Sequence, residues 1–415
     1  MNKVLIIIFA IFFLILFPLG EFLRIDLPNN IAVTGTDAGV IILILFCICK
    51  AAYDRLRIED SGQAGMTKKW NVLKPLAIFL TVCLISLLYN LPHLKQNEFL
   101  VAFLYLLRFT CYASFYFIVT SLPQAVKKTL SSFMIASGFF LLVIGYVQYF
   151  FYPSLRNLYY LGWDEHLYRM FGSFFDPNFF GAFLVLYFLF VLNQVIPCRA
   201  VTNVPKRFAK QLRHPVFLIL VLLGTLIAIV LTYSRSAYLM LVVGLVTFFL
   251  FKKPSKKIIL YSLIFISVSF ISFFSLTKYS EGTNLFRINS TKARITTSQN
   301  ALIIFEKNPL LGVGFNAYRY AQERYGFTKQ NDTIADHGAA GADNSFLFVL
   351  ATTGIIGFLA YANLWGKIFV LNKKRALVIS SMTALFFDAF FINSLFYPFI
   401  VVWMWVIIGI ESKSI

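Results

Sequence analysis

Acidic residues are scarce in this chain: 18 Asp and Glu stand among 415 residues, and charged residues together make up 13%. Roughly a quarter of a soluble domain is charged, so a water-facing catalytic domain is excluded. Histidine and cysteine are rarer still, with 4 and 5 copies. Cys47, Cys49, Cys83 and Cys111 fall inside apolar segments and Cys198 beside a basic loop, which implies neither a disulfide framework nor a zinc site. His93, His166 and His214 have no second His, Cys or carboxylate at metal-ligand spacing, so neither a metal nor a cofactor is expected. A Gly-rich nucleotide loop is also missing from the basic loops.

What the chain has is apolar length. Hydrophobic residues make up 59%, 48 of the residues are Phe, and the mean hydropathy is +0.76. At about 20 apolar residues per span, a chain of this size has room for roughly 10 to 14 transmembrane helices. Apolar runs at 4–19, 36–52, 75–90, 99–121, 130–152, 178–196, 215–232, 236–251, 258–276, 345–371, 376–394 and 397–411 predict twelve spans. The expectation is an all-α integral membrane protein, one polytopic domain over 1–415. The first run lacks a small-residue cleavage site behind it, continuing Gly20-Glu21-Phe22, and reads as an uncleaved helix.

The net charge of +19 sorts by loop. With the N-terminus in the cytoplasm, the clusters at 50–74, 127–128, 199–213, 252–257 and 373–375 all become cytoplasmic. The short outer loops then carry only Arg24, Lys95, Arg156, Arg169 and Arg235, and both termini lie inside. Topology and anionic membrane lipids account for the positive charge, and no nucleic-acid partner is needed. Arg108 and Asp388 are charges inside predicted spans, costly enough in hydrocarbon to suggest that they pair with each other.

Chemistry concentrates on the predicted outer side. In Gly172-Ser-Phe-Phe-Asp-Pro-Asn178, Asp176 suits an N-cap and Pro177 the first helical position. That arrangement reads either as a plain cap or, with Arg169 nearby, as an anion-binding lip. Arg235 in the hairpin Thr232-Tyr-Ser-Arg-Ser236 reads either as a snorkelling interfacial cation or as a phosphate clamp, with Ser234 and Ser236 as added donors. The long outer loop 277–343 reads as structured. Ser290 or Thr291 is expected to cap a helix that Asn308-Pro309 stops, Gly312 and Gly314 to form a tight turn, and Asn316 to Tyr325 to form a short amphipathic helix. Tyr318, Tyr320, Arg319 and Arg324 on that helix suit sugar stacking. His337 stands in a Gly/Ala-rich stretch that ends in Asp343-Asn344, as a mobile active-site segment would.

These segments resemble the bacterial O-antigen ligase and O-antigen polymerase family of membrane glycosyltransferases, over about residues 165–365. The matching motifs run in order: Arg169 before Gly172-Ser-Phe-Phe-Asp-Pro-Asn178, the Ser234-Arg-Ser-Ala237 hairpin, Arg294 fifteen residues before Pro309, and Asn308-Pro-Leu-Leu-Gly-Val-Gly314. The resemblance implies a GT-C-like fold and metal-independent, inverting transfer of a glycan. The donor would be an undecaprenyl-diphosphate-linked glycan, and the acceptor a hydroxyl of a glycan or glycolipid. It implies that Arg235 and Arg294 hold the diphosphate, assisted by Arg169 and Ser234, with Asp176, Asn178, Gly312 and Gly314 shaping the helix start and turn. Where the family commonly has a catalytic His before the Asn that opens the next span, this chain has Asp343. The base is then His337 or Asp343. A twelve-helix secondary transporter or a glycolipid flippase is the competing reading, although no internal repeat supports it.

Overall fold

A backbone in hydrocarbon must satisfy its own hydrogen bonds, and the computed structural model is accordingly almost entirely helical. It describes residues 2–28, 31–57, 66–196, 214–254, 283–284, 288–327 and 341–412. Among these, seven helices are long and apolar enough to cross a membrane, and three shorter apolar helices accompany them. The chain is a multi-pass membrane protein. The run expected at 258–276 lies outside the described residues.

Two compact units are interleaved along the sequence. The first comprises 1–23, 123–287 and 373–388. It contains α1 (Asn2–Ile11), which continues through a π-helical stretch, and α5 (Gln124–Phe151). Its remaining helices are α6 (Pro177–Val195), α7 (Pro215–Leu231), α8 (Arg235–Lys252) and α12 (Ala376–Asp388). Helix α8 packs along α12, and α6 packs against α7 and α8. Small residues allow the close approaches: a Cβ on Gly181 would sit 2.8 Å from the Ala237 Cβ. On α1 the exposed stripe is Val4, Ile7, Ile11 and Ile15, while Leu5, Phe9, Phe12 and Phe13 are buried. Apolar side chains on both faces mark a helix between protein and lipid.

The second unit comprises 24–122, 288–372 and 389–415. It opens with a hairpin, β1 (Ile25–Leu27) antiparallel to β2 (Ile31–Val33), followed by α2 (Gly35–Arg57), α3 (Met66–Tyr89) and α4 (Gln96–Thr120). Later come α9 (Ile288–Lys307), α10 (Tyr318–Arg324), α11 (Ser345–Leu371) and α13 (Pro398–Glu411). Helix α11 packs on α3 and α9, and α13 on α4.

Three expectations need correction. Arg108 finds its carboxylate at Asp37, 2.8 Å away, where Asp37 also accepts from the Thr34 amide and the Tyr112 hydroxyl. Asp388 is fully buried at the end of α12, in the other unit. Helix α9 already includes Ile288, so Ser290 and Thr291 lie inside it and do not cap it. Helix α12 ends at Asp388, short of the expected 394. Beyond it the Ala389 carbonyl accepts from the Ser345 amide and the Phe390 carbonyl from the Asn344 side chain, so this backbone serves the start of α11 and not a continuing helix.

Candidate functional site

In the first unit the polar groups converge where α6 and α8 begin. Asp176 is the N-cap of α6, its carboxylate accepting from the Asn178 and Phe179 amides at 2.6 and 3.1 Å. The Asn178 side-chain oxygen in turn accepts from Arg169 Nη2 at 3.1 Å and from the Ser234 hydroxyl at 3.2 Å. Arg169 is only 5% exposed, and its Nε donates to the Thr232 carbonyl at 2.9 Å. Its guanidinium therefore ties the segment before α6 to the hairpin between α7 and α8. Gln148 supports the same segment, accepting from the Phe171 and Gly172 amides and donating to the Arg169 carbonyl. Arg235 is half-buried at the first position of α8, next to buried Ser234 and Ser236, whose hydroxyls lie 3.2 Å apart. His166 Nε2 stands 3.8 Å from Asp176 and 3.9 Å from Asp164.

The backbone here is strained. His166, Tyr168, Phe175 and Tyr233 all adopt positive φ, which costs of order 1 kcal/mol or more at each non-glycine residue. Such cost persists only where the surroundings over-determine the conformation. Burial, reinforced by the Tyr149 phenol, pushes the Tyr233 phenol well above the usual tyrosine range.

In the second unit the centre is Thr297 on α9. Its hydroxyl lies 3.3 Å from an Asp343 carboxylate oxygen and 3.1 Å from the Arg294 carbonyl, and its own carbonyl accepts from the Tyr318 hydroxyl at 3.2 Å. Arg294 and Asp343, 49 residues apart in sequence, thus share one neighbour. Arg294 is half-buried. Burial, and then the Asp343 charge, raise the Tyr318 phenol well above its ordinary value, and burial pushes Tyr320 up to about 12 against the pull of Arg319. Asn344 caps α11, accepting from the Phe346 and Leu347 amides at 2.9 and 3.0 Å. Asp343 is therefore held at a helix N-terminus, where a carboxylate is favoured electrostatically.

The expected sugar-stacking face is not presented by Tyr318. That side chain is fully buried, its ring against Phe348 at 6.2 Å, and Tyr320 packs on a core that includes Leu87 and Leu94. Gly312 and Gly314 have φ of +66° and +103°, in the loop after α9. His337 lies outside the described residues. The structure brings Arg169, Asn178, Ser234 and Asp176 together in the first unit, with Arg235 adjacent, and in the second it brings Asp343 to Thr297, one turn after Arg294 on α9. Among the described residues, no three His, Cys, Asp or Glu side chains gather within reach of one metal ion. Sequence reading missed Thr297, although its place one turn after Arg294 is the signal that could have found it. It also missed Gln148, a lone amide in an apolar span.

Among the described residues, helices of membrane length, with polar groups collected at the starts of α6 and α8, define a multi-pass membrane protein. Residues 218–362 match the family model described as O-antigen ligase, so this stretch of the chain is similar to that family. The matched stretch contains Ser234, Arg235, Arg294, Gly312, Gly314, His337 and Asp343, and leaves Arg169, Asp176 and Asn178 outside it. No curated protein matches the chain.

Proposed function

We propose that this protein is an inverting glycosyltransferase that moves a glycan from undecaprenyl diphosphate to an acceptor hydroxyl at the outer face of the cytoplasmic membrane. The reading includes twelve spans in a GT-C-like arrangement, with both termini cytoplasmic. The observation that carries it is the match of residues 218–362 to the O-antigen ligase family model, a stretch in which Asp343 stands just before α11 with a carboxylate oxygen 3.3 Å from the Thr297 hydroxyl and Arg294 lies one turn earlier on α9. The acceptor oxygen attacks the sugar C1 as the bond from C1 to the diphosphate oxygen breaks, and the acceptor proton passes to Asp343 or His337. The leaving diphosphate gains negative charge in that step. The resemblance assigns that charge to Arg294 and Arg235, with Ser234 and Arg169, and preorganised donors stabilise developing charge without reorganisation. No metal is required by this chemistry.

The test uses the full-length protein in nanodiscs with undecaprenyl-diphosphate-linked glycan, a panel of glycan and glycolipid acceptors, and chelator throughout. Release of undecaprenyl diphosphate is expected from the wild type and is expected to fall at least about 100-fold in Arg294→Ala and Arg235→Ala. Product length distinguishes ligation to an anchor from polymerisation. Folded wild-type protein that releases nothing with any acceptor overturns the reading in favour of transport.

A further inference from the structure

Helix α11 is broken near its middle. Gly354 has φ of +64° and ψ of −169°, which interrupts the hydrogen-bond ladder inside an apolar helix. In hydrocarbon the freed groups need partners. The loop after α9 supplies them: the Val313 and Gly314 amides donate to the Ala351 and Thr352 carbonyls at 3.0 Å each. In return, the Pro309 and Leu310 carbonyls accept from the Ile355 and Ile356 amides at 2.8 and 3.4 Å. The two backbones touch so closely that a Cβ on Gly312 would lie 2.4 Å from Thr352 and one on Gly354 2.3 Å from Leu310.

A third element fastens this splice. Ser86 and Asn90, four residues apart on and just beyond α3, are 0% and 3% exposed. The Ser86 hydroxyl lies 2.6 Å from the Leu311 carbonyl and 2.9 Å from that of Thr352, so it faces both backbones at once. The Asn90 amide donates to the Gly312 carbonyl at 3.0 Å. Helix α9, with Arg294 and Thr297, ends at Lys307, immediately before the spliced loop. What fixes the loop therefore fixes the end of α9.

The geometry points to Ser86 and Asn90 as positioning residues for transfer: through the splice at Gly354 they set the register of α9, and so the placement of Arg294 and Thr297 relative to Asp343. Both lie outside the stretch that matches the family model. The inference rests on the proposed glycosyl transfer for its kinetic consequence, and on the splice alone for its structural one.

The experiment has two arms, on full-length protein in nanodiscs. In a background freed of the five native cysteines, spin labels replace Leu302 on α9 and Leu359 on α11, both exposed, and the distance distribution is measured by pulsed electron resonance. Ser86→Ala/Asn90→Ala is expected to broaden a narrow wild-type distribution, and Asn90→Ala alone serves if the double variant does not assemble. In the second arm the donor's partition between transfer to acceptor and hydrolysis by water is measured. Misplacement is expected to lower that ratio about tenfold or more, since sub-ångström errors in placement are costly to transfer. A merely destabilised protein loses both rates in proportion and keeps the ratio. Unchanged distances, or an unchanged ratio, overturn the inference. A wild type that turns over no donor defeats the transferase reading, while the distance arm still judges the splice.

Discussion

Asp343 and Thr297 make separable contributions. Asp343→Asn keeps an oxygen to accept from the Thr297 hydroxyl, so the local contact survives while the ability to take a proton is lost. If Asp343 is the base, turnover is expected to fall about 100-fold or more at an unchanged melting temperature. Thr297→Val keeps the shape and removes the donor, and is expected to cost about tenfold, within the range of a hydrogen bond to a charged group. Wild-type turnover in Asp343→Asn together with inactivity in His337→Ala would move the base to His337. Tyr318 permits a check by pH. Its folded-state pKa is raised, so the phenol favours folding while protonated. That contribution is complete below about pH 10, the unfolded tyrosine value, and is lost as pH rises through the folded-state value. Tyr318→Phe should therefore flatten the fall of melting temperature on the alkaline side. Asp343→Asn should flatten the same fall in part, because burial, the larger cause of the raised Tyr318 pKa, remains when the neighbouring charge is removed.

The elements show where sequence reading succeeds and where it stops. The N-cap geometry of Asp176 and the stop of α9 before Asn308-Pro309 follow from local chemistry, which short stretches of sequence carry. The break in α11 does not, because hydropathy over 345–371 is the same for a straight helix and a spliced one. Gly354 is legible only as a single glycine in an apolar run. The paired polar residues Ser86 and Asn90, at helical spacing near the end of a span, were the available sign that something other than lipid lies beside α3. Gly354→Ala and Gly312→Ala test the splice itself. Each would place a Cβ against backbone at 2.3–2.4 Å in a positive-φ conformation, with no flexible side chain to yield. A loss of about 3 kcal/mol or more is expected, read as a large drop in thermal stability. Gly326→Ala, with positive φ but nothing within 4 Å of a Cβ, should cost about 1 kcal/mol and so separates conformational strain from collision.

At the scale of the whole molecule, hydropathy located spans one at a time but carried no record of which helices share a unit. Helix α1 belongs with 123–287, and 24–122 belongs with the stretch that follows residue 288. Long-range packing of this kind is written in shape, such as Gly181 against Ala237, which a hydropathy profile does not register. Orientation, in contrast, rests on the sequence alone, through the placement of Lys and Arg, and can be tested without reference to activity. Helix α5 runs from Gln124 to Phe151, about 42 Å at 1.5 Å per residue, so its two ends must emerge on opposite sides of a bilayer. Gln124 and Glu165 are both exposed, the first at the start of α5 and the second in the loop beyond its end. In a cysteine-free background, an impermeant maleimide should label Glu165→Cys in intact cells and Gln124→Cys only after lysis. The reverse pattern would put Asp176 and Arg235 on the cytoplasmic side. Nucleotide-activated donors are available there, yet this chain has no Gly-rich loop to bind one. Transfer from a lipid diphosphate at the outer surface would then have to be abandoned, whatever the chemistry of Asp343.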